Sequence, residues 1–327
     1  MAHMRGVGVS RTGHPAALLS VASAALLWSV GAVVASDLFD RGVSPMELVE
    51  FRTFITAACL GAVVLWLSRA RSDRALPKVA AEWPWLVCFG LAIGVANASL
   101  FFAIDHLPVA VAIVLQNLAP GFVVIWMLIS THRMLSARAA SGLVLSLVGV
   151  VLVVRLPTTP LGDIDALGVL FGITTAVGVA AFSLLGERTC RIYGSVRANA
   201  VAFGVAAACW LLIQAVQGVP ELATRPELFA DVLVVGLLGT LAPFLLFAWG
   251  TARLGSEMGA LSISLEPIFA AVLAWIWLGQ SLEAMQIVGA VAILWGIIRV
   301  RASSPPLVVS QQPPPSGREP AGQVINE

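Results

Sequence analysis

Ten apolar runs, each close to the length that crosses a bilayer as a helix, leave this chain few architectures to adopt. They fall at residues 15–36, 46–68, 84–105, 108–130, 137–154, 166–186, 198–217, 231–250, 255–279 and 284–300. A helix needs about 20 predominantly apolar residues to span roughly 30 Å of hydrocarbon. Composition agrees: 59% of the residues are hydrophobic and 11% charged, with a mean hydropathy of +0.93. Soluble domains carry about 25% charged residues, so the chain reads as an all-α integral membrane protein. The first run is too long, and lacks the small-residue cleavage site, for a removable signal peptide.

The charged residues between the runs orient the chain. With the N-terminus in the cytoplasm, fifteen basic side chains fall inside, among them Arg69, Arg71, Arg74, Lys78, Arg133, Arg138, Arg188, Arg191, Arg197, Arg253, Arg299 and Arg301. Only Arg41, Arg155 and Arg225 fall outside, and Arg52 lies within a run. Such an excess of Arg and Lys marks the cytoplasmic side, so both termini are expected there. Residues 1–14 form a short cytoplasmic lead. Residues 301–327, with Pro305-Pro306 and Pro313-Pro314-Pro315, read as a disordered Pro-rich cytoplasmic tail.

An internal repeat follows. Pro120 and Pro267 are 147 residues apart, and the same offset pairs Gly31 with Gly178, Phe122 with Phe269, Gly142 with Gly289 and Gly149 with Gly296. Residues 15–154 and 155–300 then hold five runs each. Five is odd, so the two halves must lie upside down relative to each other. Inverted repeats of this kind place their substrate site at the midplane, on interrupted helices. Pro120 and Pro267 are the expected interruptions, because proline lacks the N–H that a helix interior needs.

Glu266 precedes Pro267 about twelve residues past the charged end at Arg253. At roughly 1.5 Å per residue it falls near the bilayer midplane, where ionisable residues are costly and mark substrate or ion paths. The alternative is a local kink in which Glu266 bonds a neighbouring helix. Cys59, Cys88, Cys190 and Cys209 are isolated, and His3, His14, His106 and His132 sit near run ends. No metal or redox spacing results, no Walker motif occurs, and no cofactor is expected. A net charge of +1 argues against a nucleic-acid partner. The expected partners are the lipid bilayer and a small-molecule substrate, for which a monomer suffices.

Ala25-Leu26-Leu27-Trp28-Ser29, Arg52, Leu265-Glu266-Pro267-Ile268-Phe269-Ala270-Ala271, Leu278-Gly279 and Gln286-Ile287-Val288-Gly289-Ala290 together resemble the drug/metabolite transporter superfamily, in its ten-helix EamA-type branch. The resemblance covers about residues 15–300. It implies ten transmembrane helices as two inverted five-helix repeats in a cell membrane, here a bacterial inner membrane. It also implies an alternating-access cavity lined by the first, third, fourth, sixth, eighth and ninth helices, and a small organic metabolite as substrate. Two residues depart from the pattern: Gln280 stands where the family usually has Glu, and Thr175, the repeat mate of Trp28, is not aromatic.

Within that frame, Asn97, Asn117 and Glu266 are the candidate polar contacts, and Trp28, Phe102 and Trp249 the candidate aromatic ones, beside Pro120 and Pro267. Asn97 and Asn117 either bind substrate or act as interhelical glue. Arg52 either binds a substrate carboxylate bidentately or pairs with Glu50 or Asp105. A mostly apolar, aromatic cavity suits a neutral or zwitterionic ligand with a bulky side chain. The function expected is therefore a secondary transporter, an exporter of aromatic or other bulky neutral amino acids. A multidrug or amine transporter is the alternative. A membrane enzyme would need a converging His, Cys or acid cluster, and a pore would need rings of like charge; neither pattern is present in the sequence.

Overall fold

A computed structural model describes residues 14–70, 83–131, 136–153, 155, 164–218, 220–254 and 265–301. The expected Pro-rich tail, the N-terminal lead, the charged stretch 71–82 and the first part of the ninth run lie outside the described residues. The elements are α1 (His14–Asp40), α2 (Pro45–Ala70), α3 (Trp83–His106), α4 (Val109–Gln116), α5 (Ala119–Thr131), α6 (Ala137–Val153), α7 (Ala166–Tyr193) and α8 (Ser195–Gln217). After two short 3₁₀ turns come α9 (Phe229–Leu233), a π-helical stretch (Val234–Leu241) and α10 (Ala242–Leu254), which run on as one rod. α11 (Glu266–Leu278) and α12 (Ala284–Arg301) complete the fold.

Among the described residues, seven helices are long and apolar enough to cross a membrane. Three further apolar helices, Ala140–Val153, Glu266–Leu278 and Ala284–Arg299, are shorter. The ten expected runs map onto these ten, with α4 and α5 sharing the fourth and α9, the π stretch and α10 sharing the eighth. Large apolar side chains cover the outside, as at Leu212 (72% exposed), Val216 (88%) and Ile276 (70%). That surface is stable only against hydrocarbon, so the fold is an all-α membrane fold.

The helix ends follow from local chemistry. Asp165 caps α7, its Oδ1 accepting the Gly168 N–H at 2.8 Å, which satisfies a donor the first turn leaves free. α11 stops at Gly279, whose φ of +67° only glycine adopts cheaply, and the Gln280 N–H folds back onto the Ala274 carbonyl at 3.2 Å.

The repeat is built into the packing. α6 crosses α12 where a Cβ on Gly149 would lie 2.7 Å from the Gly289 carbonyl oxygen, and one on Gly296 would lie 2.5 Å from that of Gly142. The 147-residue offset exchanges these two contacts, since Gly142 and Gly149 are the mates of Gly289 and Gly296. Residue numbers rise along one helix as they fall along the other, so the pair is antiparallel. A two-fold axis that swaps antiparallel helices stands perpendicular to both of them, and the halves are therefore inverted. Other seams obey the same exchange: α1 packs on α10 as α7 packs on α3, and α1 on α11 as α7 on α4 and α5. Gly31 meets the Cα of Gly239, and its repeat mate Gly178 meets the Cα of Ala96. Small residues let helix backbones approach closely, the usual device of membrane helix interfaces.

Candidate functional site

Two proline-bearing helix starts lie at the junction of the halves. α4 ends at Gln116, the chain turns through Asn117 and Leu118, and α5 begins at Ala119 with Pro120 as its second residue. α11 begins at Glu266 with Pro267 as its second residue. Proline is well placed there, because the N–H it lacks would have no intrahelical partner in the first turn. The backbone bonding of the two starts is the same. Gly121 and Phe122 donate to the Leu118 carbonyl at 2.8 and 3.4 Å, and Ile268 and Phe269 donate to the Leu265 carbonyl at 3.1 and 3.0 Å. Each of these residues is 147 positions from its counterpart.

Glu266 is 5% exposed and sits in the first turn of α11, where the positive end of the helix dipole faces it. Ser29 ties this turn to α1: its hydroxyl lies 3.0 Å from the backbone carbonyl of Glu266 and 3.0 Å from that of Ala25. Among the described residues no donor reaches the Glu266 carboxyl. The Asn117 amide, 8% exposed, is turned back onto the Ile113 carbonyl, to which its Nδ2 donates at 2.9 Å.

Arg52, also 5% exposed, donates from Nη2 to the Asn97 Oδ1 and lies over the Phe101 ring with its Cζ 4.2 Å from the centroid. Neither ion pair offered by the sequence forms among the described residues. Glu50 is two residues away on α2, about 200° round the helix, and Asp105 is exposed at the end of α3. Asn97 is held in place by its own Nδ2, which donates to the Ile93 carbonyl at 2.8 Å.

The aromatic candidates divide between two symmetry-related seams. Trp28 on α1 meets Phe244 and Phe247 of α10 at centroid distances of 5.5 and 5.6 Å. Phe102 on α3 stacks on Phe171 of α7 at 5.0 Å, and the His106 ring lies 6.2 Å from Phe171. Trp249 is 42% exposed on α10. Thr175, where the second half lacks its tryptophan, donates instead to the Ala96 carbonyl at 2.5 Å. Ser29, Phe101, Phe171 and Phe244 were not among the candidates. Ser29 carried a sequence signal, since it closes the first-helix motif.

One rim of the bundle is held by polar contacts between distant parts of the chain. Gln280 Oε1 accepts the Val109 N–H at 3.1 Å, capping α4 from the end of α11. The departure from the family pattern thus places a neutral acceptor on the start of α4. Arg41 pairs with Asp231 at 2.7 Å, and Arg155 with Glu283 at 3.0 Å. The hydrogen bond from Arg41 to Asp231 raises the arginine's pKa above its ordinary value. The Asp165 carboxyl is held below the usual carboxylate range, first by the Gly168 N–H and then by His106 at 2.9 Å. Exposed pairs of this kind contribute little stability each.

Comparison with known proteins accords with this geometry. A family model described as the EamA-like transporter family matches residues 15–155 and 166–301, one match per half. The inner membrane transporter YicL of Salmonella typhimurium, itself uncharacterised, is 23% identical over 291 residues, covering 88% of this chain and 95% of that protein. The threonine/homoserine exporter RhtA of Salmonella typhimurium is 26% identical over 274 residues, covering 81% and 84%. Protein PecM of Dickeya dadantii is 24% identical over 229 residues, covering 69% and 76%. A solved structure at 21% identity shares the fold with a TM-score of 0.57 over 88% of this chain and 96% of its own. With both halves matched and the inverted packing in place, the chain belongs to the EamA-like transporter family and is a multi-pass membrane transporter rather than an enzyme.

Proposed function

We propose that the protein exports neutral amino acids, with aromatic or other bulky side chains preferred, by alternating access between its two halves. The observation that carries this reading is the matched pair of proline-bearing helix starts, at Leu118 and Leu265, with Glu266 buried at the second. A rocking motion of one half against the other moves both helix starts together, because the seams between halves are exchanged by the same two-fold. An acidic group at a helix start, without a described donor, suits a substrate ammonium group or a proton. Rings on both seams, Trp28 with Phe244 and Phe102 with Phe171, supply apolar surface for a bulky side chain. The threonine/homoserine export named for one relative supports the amino-acid class and the outward direction; the preference for bulky side chains rests on the rings alone. The arginine asymmetry between the runs supports both termini on the cytoplasmic side.

The test is counterflow into proteoliposomes against a panel of amino acids, with and without a pH gradient. Flux of phenylalanine, leucine or threonine above protein-free vesicles is expected. Flux of amines or nucleotide sugars with no amino acid moved would overturn the reading. Dependence on the imposed gradient separates proton-linked transport from exchange and facilitated flow.

A further inference from the structure

Arg52 is a buried cation for which the described residues supply no anion. Among the described residues it takes part in no ion pair. Its Nε is buried without a hydrogen-bond partner, and the one side-chain acceptor it meets is neutral Asn97. Burying an unpaired charge is among the most expensive choices a fold can make. Two carboxylates lie close in sequence, yet Glu50 faces another direction with its own Oε1 unpartnered, and Asp105 is exposed. Meanwhile Asn97 and Phe101, four residues apart on one face of α3, fix the guanidinium from two sides. The group is held in one orientation while most of its five N–H donors are left for something else.

We propose that Arg52 is the docking point for the carboxylate of the transported solute, and that a free carboxylate is therefore required of every substrate. A carboxylate matches the guanidinium fork through two parallel N–H···O bonds. The unpartnered Nε–H is one of the donors it takes, and Asn97 and Phe101 are positioning residues that hold the fork as the ligand arrives. In the state described here Arg52 is enclosed, so the carboxylate reaches it when the halves part. This assignment rests on the transporter reading. It deepens that reading by separating amino acids, which carry the group, from their decarboxylated amines, which do not.

The experiment uses full-length protein in liposomes and matched solute pairs: phenylalanine against phenethylamine and phenylalaninamide, and lactate against propane-1,2-diol. Wild type is expected to move only the carboxylate member of a pair. Arg52→Gln should weaken apparent affinity for that member by about 10- to 100-fold, the loss of one charge-assisted bidentate contact. Arg52→Lys should keep the charge but lose the fork, giving a smaller loss. The decisive variant is Asn97→Asp, which offers Arg52 an internal carboxylate. It should raise thermal stability in detergent while abolishing carboxylate transport. If Arg52 is only structural, Asn97→Asp transports as wild type does, and the assignment fails. It fails equally if wild type moves phenethylamine as fast as phenylalanine. Transport of lactate without any amino acid would overturn the amino-acid reading and leave the role of Arg52 standing.

Discussion

The crossing of α6 and α12 yields a quantitative expectation. A methyl group added at Gly289 meets the Gly149 carbonyl oxygen at 2.7 Å and the Val153 nitrogen at 2.7 Å, both backbone atoms that cannot swing aside. Ordinary contact begins at 3.4 Å, so the helices must separate by about 0.7 Å there. A radial gap of roughly that size forfeits a quarter to a half of the dispersion well at every neighbouring contact. Overpacking of this kind costs about 1–3 kcal/mol. Gly149→Ala and Gly289→Ala should each lower the melting temperature in detergent by several degrees, and by similar amounts. Gly296→Ala, on the repeat-related contact, should behave alike. Because the first substitution already parts the helices, Gly149→Ala combined with Gly289→Ala should cost less than their sum. Gly61→Ala and Gly204→Ala supply the control: both glycines are helical with nothing within 4 Å of the added carbon, so stability should hold or rise by up to about 1 kcal/mol. Size-exclusion profiles of fluorescent fusions after heating read the effect. Equal melting temperatures for Gly149→Ala and Gly61→Ala would refute the close crossing.

Glu266→Gln keeps the shape at the start of α11 but cannot titrate; it should fold normally and lose transport or its pH dependence. Wild-type flux from Glu266→Gln between about pH 5 and 8, with an unstable Glu266→Ala, would make the residue structural. Gln280→Ala strips the Val109 N–H of its acceptor and should cost about 1 kcal/mol, whereas Gln280→Glu keeps the acceptor and adds a charge that the α4 N-terminus favours. A melting series in which Glu falls below Ala would contradict that cap. Asp165→Ala removes the α7 cap and should cost about 1 kcal/mol at neutral pH. Since Asp165 ionises more readily folded than unfolded, its contribution is full above about pH 4 and fades as pH falls further. Wild type and Asp165→Asn should therefore draw together in stability under acid, and a gap that widens instead would reverse the sign.

What the sequence determined by itself is whatever depends on composition and spacing. Runs of apolar length specify helices because unpaired backbone is too costly in hydrocarbon. Two prolines and six glycines at one offset specify the repeat, and the odd number of runs in each half specifies its inversion. Even the helix starts at Ala119 and Glu266 were legible, because proline tolerates a helix only in its first turn. Partner choice was not legible. Arg52 had two nearby acids and took an asparagine and a phenyl ring, because helical rotation turns Glu50 away and the depth of Asp105 leaves it at the exposed end of α3. Asn117, left open between substrate contact and interhelical glue, bonds its own helix, since a carbonyl one turn back is within reach of a short amide. Trp28 and Trp249 read alike as aromatics on cavity helices, and only packing shows one in a cluster of rings and the other 42% exposed. Sequence spacing fixes what lies along a helix; which face meets which neighbour is decided by how the ten helices close on one another.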